Sequence, residues 1–148
     1  MTDDDPILAY FNRSPYRDLL DIEVTVASEG HAEGRLAFGE KHSSNRTRAV
    51  AQGGVTFSLA DSVGGAAATS LVGFPTPTID FRIDYLAPAT GDLFATADVV
   101  REGGETAVVD VTVVDADEAH GSEIAVGRGV YKTGDLPDDA PWDIDQRA

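Results

Sequence analysis

Two adjacent glycines, Gly53 and Gly54, open a run whose only charged residue is Asp61: GGVTFSLADSVGGAAATSL, residues 53–71. A carboxylate beside Leu59, Ala60 and Val63 is costly unless it is hydrogen-bonded or used. It can act as a nucleophile or a general base. It can also be a core acid satisfied by nearby backbone or by Ser62. If Gly53 opens a helix, its amide is one of the unpaired N–H groups at the positive end of the helix dipole. A glycine there also lets a ligand approach the backbone closely. An amide aimed at a carbonyl oxygen stabilises the charge that develops when the carbonyl carbon is attacked, and one such donor can be worth ~3 kcal/mol. The same pair would equally serve a tight turn into a buried helix.

The elements around this run must hold it in place. Residues 53–71 are too many for a strand and apolar nearly all round, so a buried helix wrapped by a sheet is expected. Gly64 and Gly65 cost about 1 kcal/mol each in helix propensity, which implies close backbone approach by a neighbour. No segment is expected to approach the roughly 18 apolar residues needed to span a bilayer. Upstream, Asp3-Asp4-Asp5-Pro6 is a helix-start signal, followed by Ile7, Leu8 and Phe11 at helical spacing. Ser14-Pro15 ends that helix, and residues 16–20 form another turn. Residues 22–27 and 32–38 alternate apolar and polar around Glu29-Gly30-His31, which reads as a hairpin. A polar loop runs from Gly39 to about Arg48. Four further strands are predicted at 78–86, 92–101, 106–115 and 123–133, with a turn at Glu102-Gly103-Gly104. The order gives an α+β fold, one long helix wrapped by a five- or six-stranded antiparallel sheet. The length fits a single domain over residues 1–133. An acidic, Pro-containing tail follows over 134–148, where Trp142 could pin it to the body.

The motif Gln52-Gly53-Gly54-Val55-Thr56-Phe57-Ser58-Leu59-Ala60-Asp61-Ser62 resembles the signature of hotdog-fold acyl-CoA thioesterases, in the subgroup typified by phenylacetate-degradation thioesterases. The stretch Thr78-Ile79-Asp80-Phe81-Arg82-Ile83-Asp84-Tyr85-Leu86-Ala87-Pro88-Ala89 resembles the family's next strand, ending at its Pro. The likeness spans roughly residues 6–133. It implies a hotdog fold and hydrolysis of an acyl-CoA to acid and CoA. It implies that the Gly53 amide polarises the carbonyl, that Gly54 assists or permits the turn, and that Asp61 is nucleophile or base. It also implies that Asn45 and Thr78 position water or the carboxylate. Gln52 departs from the pattern, since family members commonly place His there. Gln carries no proton at neutral pH but its NH₂ can orient a carbonyl. Asp61 lies eight residues past Gly53, ~12 Å along a helix, too far for both to reach one carbon. The site then needs two chains: a homodimer at minimum, and by resemblance a homotetramer. No cofactor or metal is implied; CoA enters as part of the substrate.

Composition narrows the partners. Asp and Glu total 26 against 11 Lys and Arg, a net charge of −15. Such an excess suits a halophilic protein whose self-repulsion is screened by salt. Without a basic patch, nucleic acid is not an expected partner. There is no cysteine, which excludes disulfides and thiolate catalysis. The acidic N-terminus is unlike a signal peptide, so a cytoplasmic protein with no membrane partner is expected. CoA phosphates would need local cations. Arg46, Arg48, Arg82, Arg101 and Arg128 are the candidates, since guanidinium pairs bidentately with phosphate. His31, His42 and His120 are expected in solvated turns or loops, without metal spacing or an acid partner. The rival to hydrolysis is an acyl-CoA-binding protein without turnover. A dehydratase on the same fold would want a His near the helix entrance, where Gln52 stands.

Overall fold

The computed structural model describes residues 5–117 and 121–141. Trp142 and His120 lie outside them. Asp5 caps the first helix, α1 (Pro6–Asn12), its carboxylate accepting from the amides of Ile7 and Leu8 at 2.9 and 3.2 Å. Ser14 caps α2 (Pro15–Leu20), so Ser14-Pro15 starts a second helix where the sequence suggested only a turn. Strands β1 (Ile22–Ser28) and β2 (His31–Leu36) form the expected hairpin. Its turn residues Glu29 and Gly30 both have positive φ, 51° and 82°, the geometry that matches strand twist in a two-residue turn.

After β2 comes a short 3-10 turn, Glu40–His42, then α3 (Gly53–Val72), β3 (Thr78–Tyr85), β4 (Leu93–Glu102), β5 (Thr106–Asp115) and β6 (Glu123–Lys132). All strand pairs are antiparallel in one six-stranded sheet of order β1-β2-β4-β5-β6-β3. The long helix crosses from β2, next to one edge, to β3 at the other. It packs against all six strands. The inward positions of β5, Ala107, Val109, Val111 and Val113, are buried against it, as period-two alternation requires.

Leu59 and Val63 of α3 are wholly buried; a side chain of that kind contributes about 1.5–3 kcal/mol. The helix is long and apolar enough to cross a membrane by length and composition, yet most of it is buried inside the fold. This corrects the expectation that no segment reaches that threshold. Alanines and small residues carry the run past Asp61, and the sheet takes the place of lipid. The Gly64 and Gly65 pair is explained by packing. A Cβ at Gly64 would overlap the Tyr131 hydroxyl, and one at Gly65 would touch the Tyr131 ring at 3.5 Å and Phe11 at 3.8 Å.

Two histidine expectations are corrected. His42 is 1% exposed. Its Nδ1 accepts from the Gly39 amide and its Nε2 donates to the Leu20 carbonyl, both at 2.8 Å. A polar loop thus hides a core residue that ties the end of α2 to the approach to α3. His31 begins β2 and does have acid partners, Asp98 at 2.8 Å and Glu33 at 2.9 Å. Asp98 comes from β4, which only the sheet register brings alongside.

Candidate active site

Gly53 is the first residue of α3 and Gln52 its N-cap. The Gln52 amide donates to the His42 carbonyl at 2.8 Å, which fixes the helix entrance to the buried histidine. The Gln52 side chain turns back, and its Oε1 accepts from the Gly54 amide. The Val55 amide bonds the Gln52 carbonyl at 2.9 Å. This leaves the Gly53 N–H without an acceptor among the described residues. Gly54 therefore closes the cap, and the free donors at this end are the Gly53 amide and the Gln52 NH₂. The Tyr85 hydroxyl donates to the Gly53 carbonyl at 2.7 Å. Beside it lies a cleft of about 420 Å³, lined by Val50, Ala51, Gly53, Tyr85, Pro88 and Ile124 among others.

Asp61 sits two turns further along α3 and is half-buried. Its Oδ1 accepts from Thr78 Oγ1 at 2.8 Å and from Tyr131 Oη at 3.0 Å. Tyr131 also reaches the Asp61 carbonyl at 3.1 Å. Oδ2 has no partner among the described residues. A cleft of about 290 Å³ adjoins the carboxylate, with Tyr10, Phe11, Arg17, Pro75, Pro77 and Thr78 in its wall. Arg17 stands there with its Nε donating to Ser62 Oγ at 3.0 Å and its guanidinium 4.5 Å from the Phe11 ring centre. Burial lowers the Arg17 pKa, with Tyr10 and then Asp61 pulling the other way. Burial, followed by the nearby Asp61 charge, raises the Tyr131 phenol well above its ordinary range, so it is a neutral donor at physiological pH.

The two clusters lie apart in one chain. Thr78 joins Asp61 as the family likeness implies. Asn45 joins neither: its Oδ1 accepts from the amides of Thr47 and Arg48 at 3.1 and 2.7 Å, and so shapes a turn. That turn belongs to the segment before α3 closed by the Ser43–Ala51 bridge. The candidate arginines divide. Arg82 pairs with Asp84 at 3.2 Å and Arg128 with Asp110 at 2.6 and 3.0 Å. Arg46 and Arg48 are exposed on the Asn45 turn, without an acid partner among the described residues. Arg101 is exposed near the far end of β4, opposite Val108 and away from Gly53.

Sequence reasoning missed Tyr131 and Arg17. The signal for Tyr131 was present in outline: an inward position on β6, two residues after Gly129, and a glycine pair in the facing helix. Nothing in the short segment around Arg17 marks it, because its neighbours Phe11, Ser62 and Asp61 come from two other helices.

Comparison with known proteins agrees with this architecture. Residues 50–122 match the family model described as the thioesterase superfamily. A protein of Halobacterium salinarum, provisionally named an esterase, is 34% identical over 134 residues, covering 85% of this chain and 89% of that protein. A solved structure from the thioesterase superfamily superposes with TM-score 0.79 at 30% identity, covering 86% of this chain and 96% of that one. The E. coli PaaI protein of the phenylacetic acid degradation operon superposes with TM-score 0.74 at 25% identity, covering 84% and 88%. With its single long helix in a six-stranded antiparallel sheet, this chain belongs to the hotdog-fold thioesterase superfamily, whose general chemistry is thioester hydrolysis.

Proposed function

We propose that the chain hydrolyses an acyl-CoA to the free acid and CoA at a site shared by two copies. The observation that carries this reading is the pairing of an unsatisfied Gly53 amide at the head of α3 with a half-buried Asp61 too far along the same helix to meet it. Eight residues of helix span ~12 Å, whereas a reacting carbonyl must touch both groups within about 3 Å. A second copy removes the conflict. β3 is an edge strand, and it exposes Ile79 and Tyr85, with Leu86 just beyond, each at 52–58%. Pairing two β3 edges antiparallel would set the α3 helices side by side in opposite directions. Gly53 of one chain would then face Asp61 of the other. Two such dimers would make the tetramer.

In that arrangement the Gly53 amide and the Gln52 NH₂ hold the thioester oxygen. As a nucleophile, Asp61 bonds the acyl carbon, the C–S bond breaks and CoA leaves as thiolate; water then cleaves the mixed anhydride. As a base, Asp61 takes a proton from water, the hydroxide adds to the carbon, and the same C–S bond breaks. Both routes end in acid and CoA. Thr78 holds the carboxylate. The turn at Asn45 carries Arg46 and Arg48 near the head of α3, where CoA phosphates would meet them. Arg82 and Arg101 are the weaker candidates, one being paired and the other remote.

The test is thiol release from a panel of aryl-acetyl, short-chain and medium-chain CoAs at high salt, with Asp61→Asn as control. Release by wild type that is lost in Asp61→Asn supports the enzyme. Tight binding with no release from any thioester would make this chain a binding protein instead. An active monomer in sedimentation would remove the shared site.

A further inference from the structure

We infer that Tyr131 is a positioning residue which, with Thr78, fixes Oδ1 of Asp61 and thereby makes Oδ2 the oxygen that reacts. The inference rests on the Asp61 role proposed above. A carboxylate at the end of an Asp side chain rotates about a broad, roughly two-fold torsion. Unrestrained, its two oxygens exchange and neither holds a fixed direction. Here the two hydroxyl donors converge on one oxygen, Thr78 at 2.8 Å from β3 and Tyr131 at 3.0 Å from β6, while the other has no partner among the described residues. A hydrogen-bonded carboxylate oxygen has spent lone-pair density on its donors, so the free one is the better nucleophile and base.

The placement of Tyr131 is built into the packing from two sides. The residue is wholly buried. Its hydroxyl passes over Gly64, where any Cβ would overlap it. Its ring passes over Gly129, where a Cβ would come to 2.5 Å of Cε2. Two elements thus forgo a side chain so that this phenol reaches the first of the two turns between Asp61 and Ala68. A buried Tyr hydroxyl needs a partner in any case, and the Asp61 carbonyl at 3.1 Å could supply one. The phenol has one proton, which it shares between that carbonyl and the carboxylate, and the share that reaches Oδ1, at the shorter distance, points to the reaction.

The test is steady-state kinetics on Tyr131→Phe, Thr78→Val and the double variant, with Asp61→Asn as reference and circular dichroism to confirm folding. Loosening a reacting group by about 1 Å can cost about 100-fold, so kcat should fall about 10- to 100-fold with KM little changed. Because both donors act through one oxygen, the two losses should fail to multiply in the double variant. A wild-type kcat in folded Tyr131→Phe, with Asp61→Asn inactive, overturns the inference and leaves the Asp61 reading intact. Wild-type activity in Asp61→Asn removes that reading itself. Should Tyr131→Phe not fold, 3-fluorotyrosine at position 131, nearly the same size with a stronger phenol donor, carries the test: a changed kcat with KM unchanged supports the clamp, and wild-type kinetics overturn it.

Discussion

Replacing Gly53 by Pro deletes one hydrogen-bond donor and little else. Pro is favoured at the first helical position, where its missing N–H has no helical partner. Gln52 already has φ −61° and ψ 138°, the extended conformation that a residue before Pro prefers. The bonds from Gly54 to Gln52 Oε1 and from Val55 to the Gln52 carbonyl do not involve the Gly53 nitrogen. The added Cβ would stand 3.2 Å from Cζ and Oη of Tyr85. That contact is tight by a few tenths of an ångström, and Tyr85 is 52% exposed and can yield. Gly53→Ala introduces the same Cβ and keeps the N–H, so it isolates the donor. Losing an oxyanion donor costs about 2.7–4 kcal/mol of transition-state stabilisation, or about 100- to 1000-fold in kcat. The expected order in thiol-release assays is wild type near Gly53→Ala, with Gly53→Pro lower by that factor and equally folded. Mixing refolded Gly53→Pro and Asp61→Asn chains extends the test. In a two-fold dimer, half the dimers would be mixed and each would hold one intact site, returning about a quarter of wild-type activity. Gly53→Pro that keeps the rate of Gly53→Ala would refute the amide's role. A mixture with no recovery would refute the shared site.

Other consequences concern stability. His42→Ala leaves a cavity and strands the Gly39 amide and the Leu20 carbonyl, so urea unfolding should show a loss of about 2–4 kcal/mol. His31 has its pKa raised by its bonds to Glu33 and Asp98. Its stabilising contribution should therefore be full below about pH 6.5, the unfolded value, and vanish as pH rises through the folded value. His31→Gln should flatten that part of a pH–Tm profile, and an unchanged profile would sink the idea. With a net charge of −15, unfolding midpoints should climb with KCl as the Debye length falls from ~10 Å at 0.1 M to ~3 Å at 1 M; full stability without salt would rule out a halophilic surface.

Five of the six strands were legible because one face lies on the core; β3, which has no buried residue, was legible from its alternating sequence alone. Residues 106–115 place Ala107, Val109, Val111 and Val113 at every second position, and β5 has those bounds. The buried helix was legible from its small residues and missing charge. Sheet order was not, since nothing local says that the strand after α3 pairs with the last strand rather than with β1 or β2. The Asp61–Thr78 contact came with the family motif. The Asp61–Tyr131 contact, seventy residues apart, has no local signature. Gln52 was expected to orient a carbonyl, and it also caps α3 through its oxygen. Both roles fit one amide, which has an acceptor to turn inward and a donor to leave outward. His42 was misjudged because a polar loop hides a bond to the Leu20 carbonyl, and only the packing of α2 brings that group within reach.

The acidic surface and the proposed ligand pull against each other. CoA brings several negative charges to a chain of net charge −15. Arg82 and Arg128 are held by Asp84 and Asp110 and offer little relief. Arg46 and Arg48, which have no acid partner among the described residues, stand before α3, where the helix dipole also favours an anion. At about 1 M salt, exposed pairings of this kind would be screened within about 3 Å. Affinity would then rest on contacts that salt does not weaken. The cleft beside Gly53 supplies them: Val50, Ala51, Leu86, Ala87, Pro88 and Ile124 form most of its wall, and kosmotropic salts strengthen apolar burial. A thioester arm seated on that wall would present its carbonyl to the Gly53 amide with little help from charge. The arginines would then govern how fast the ligand arrives more than how tightly it stays.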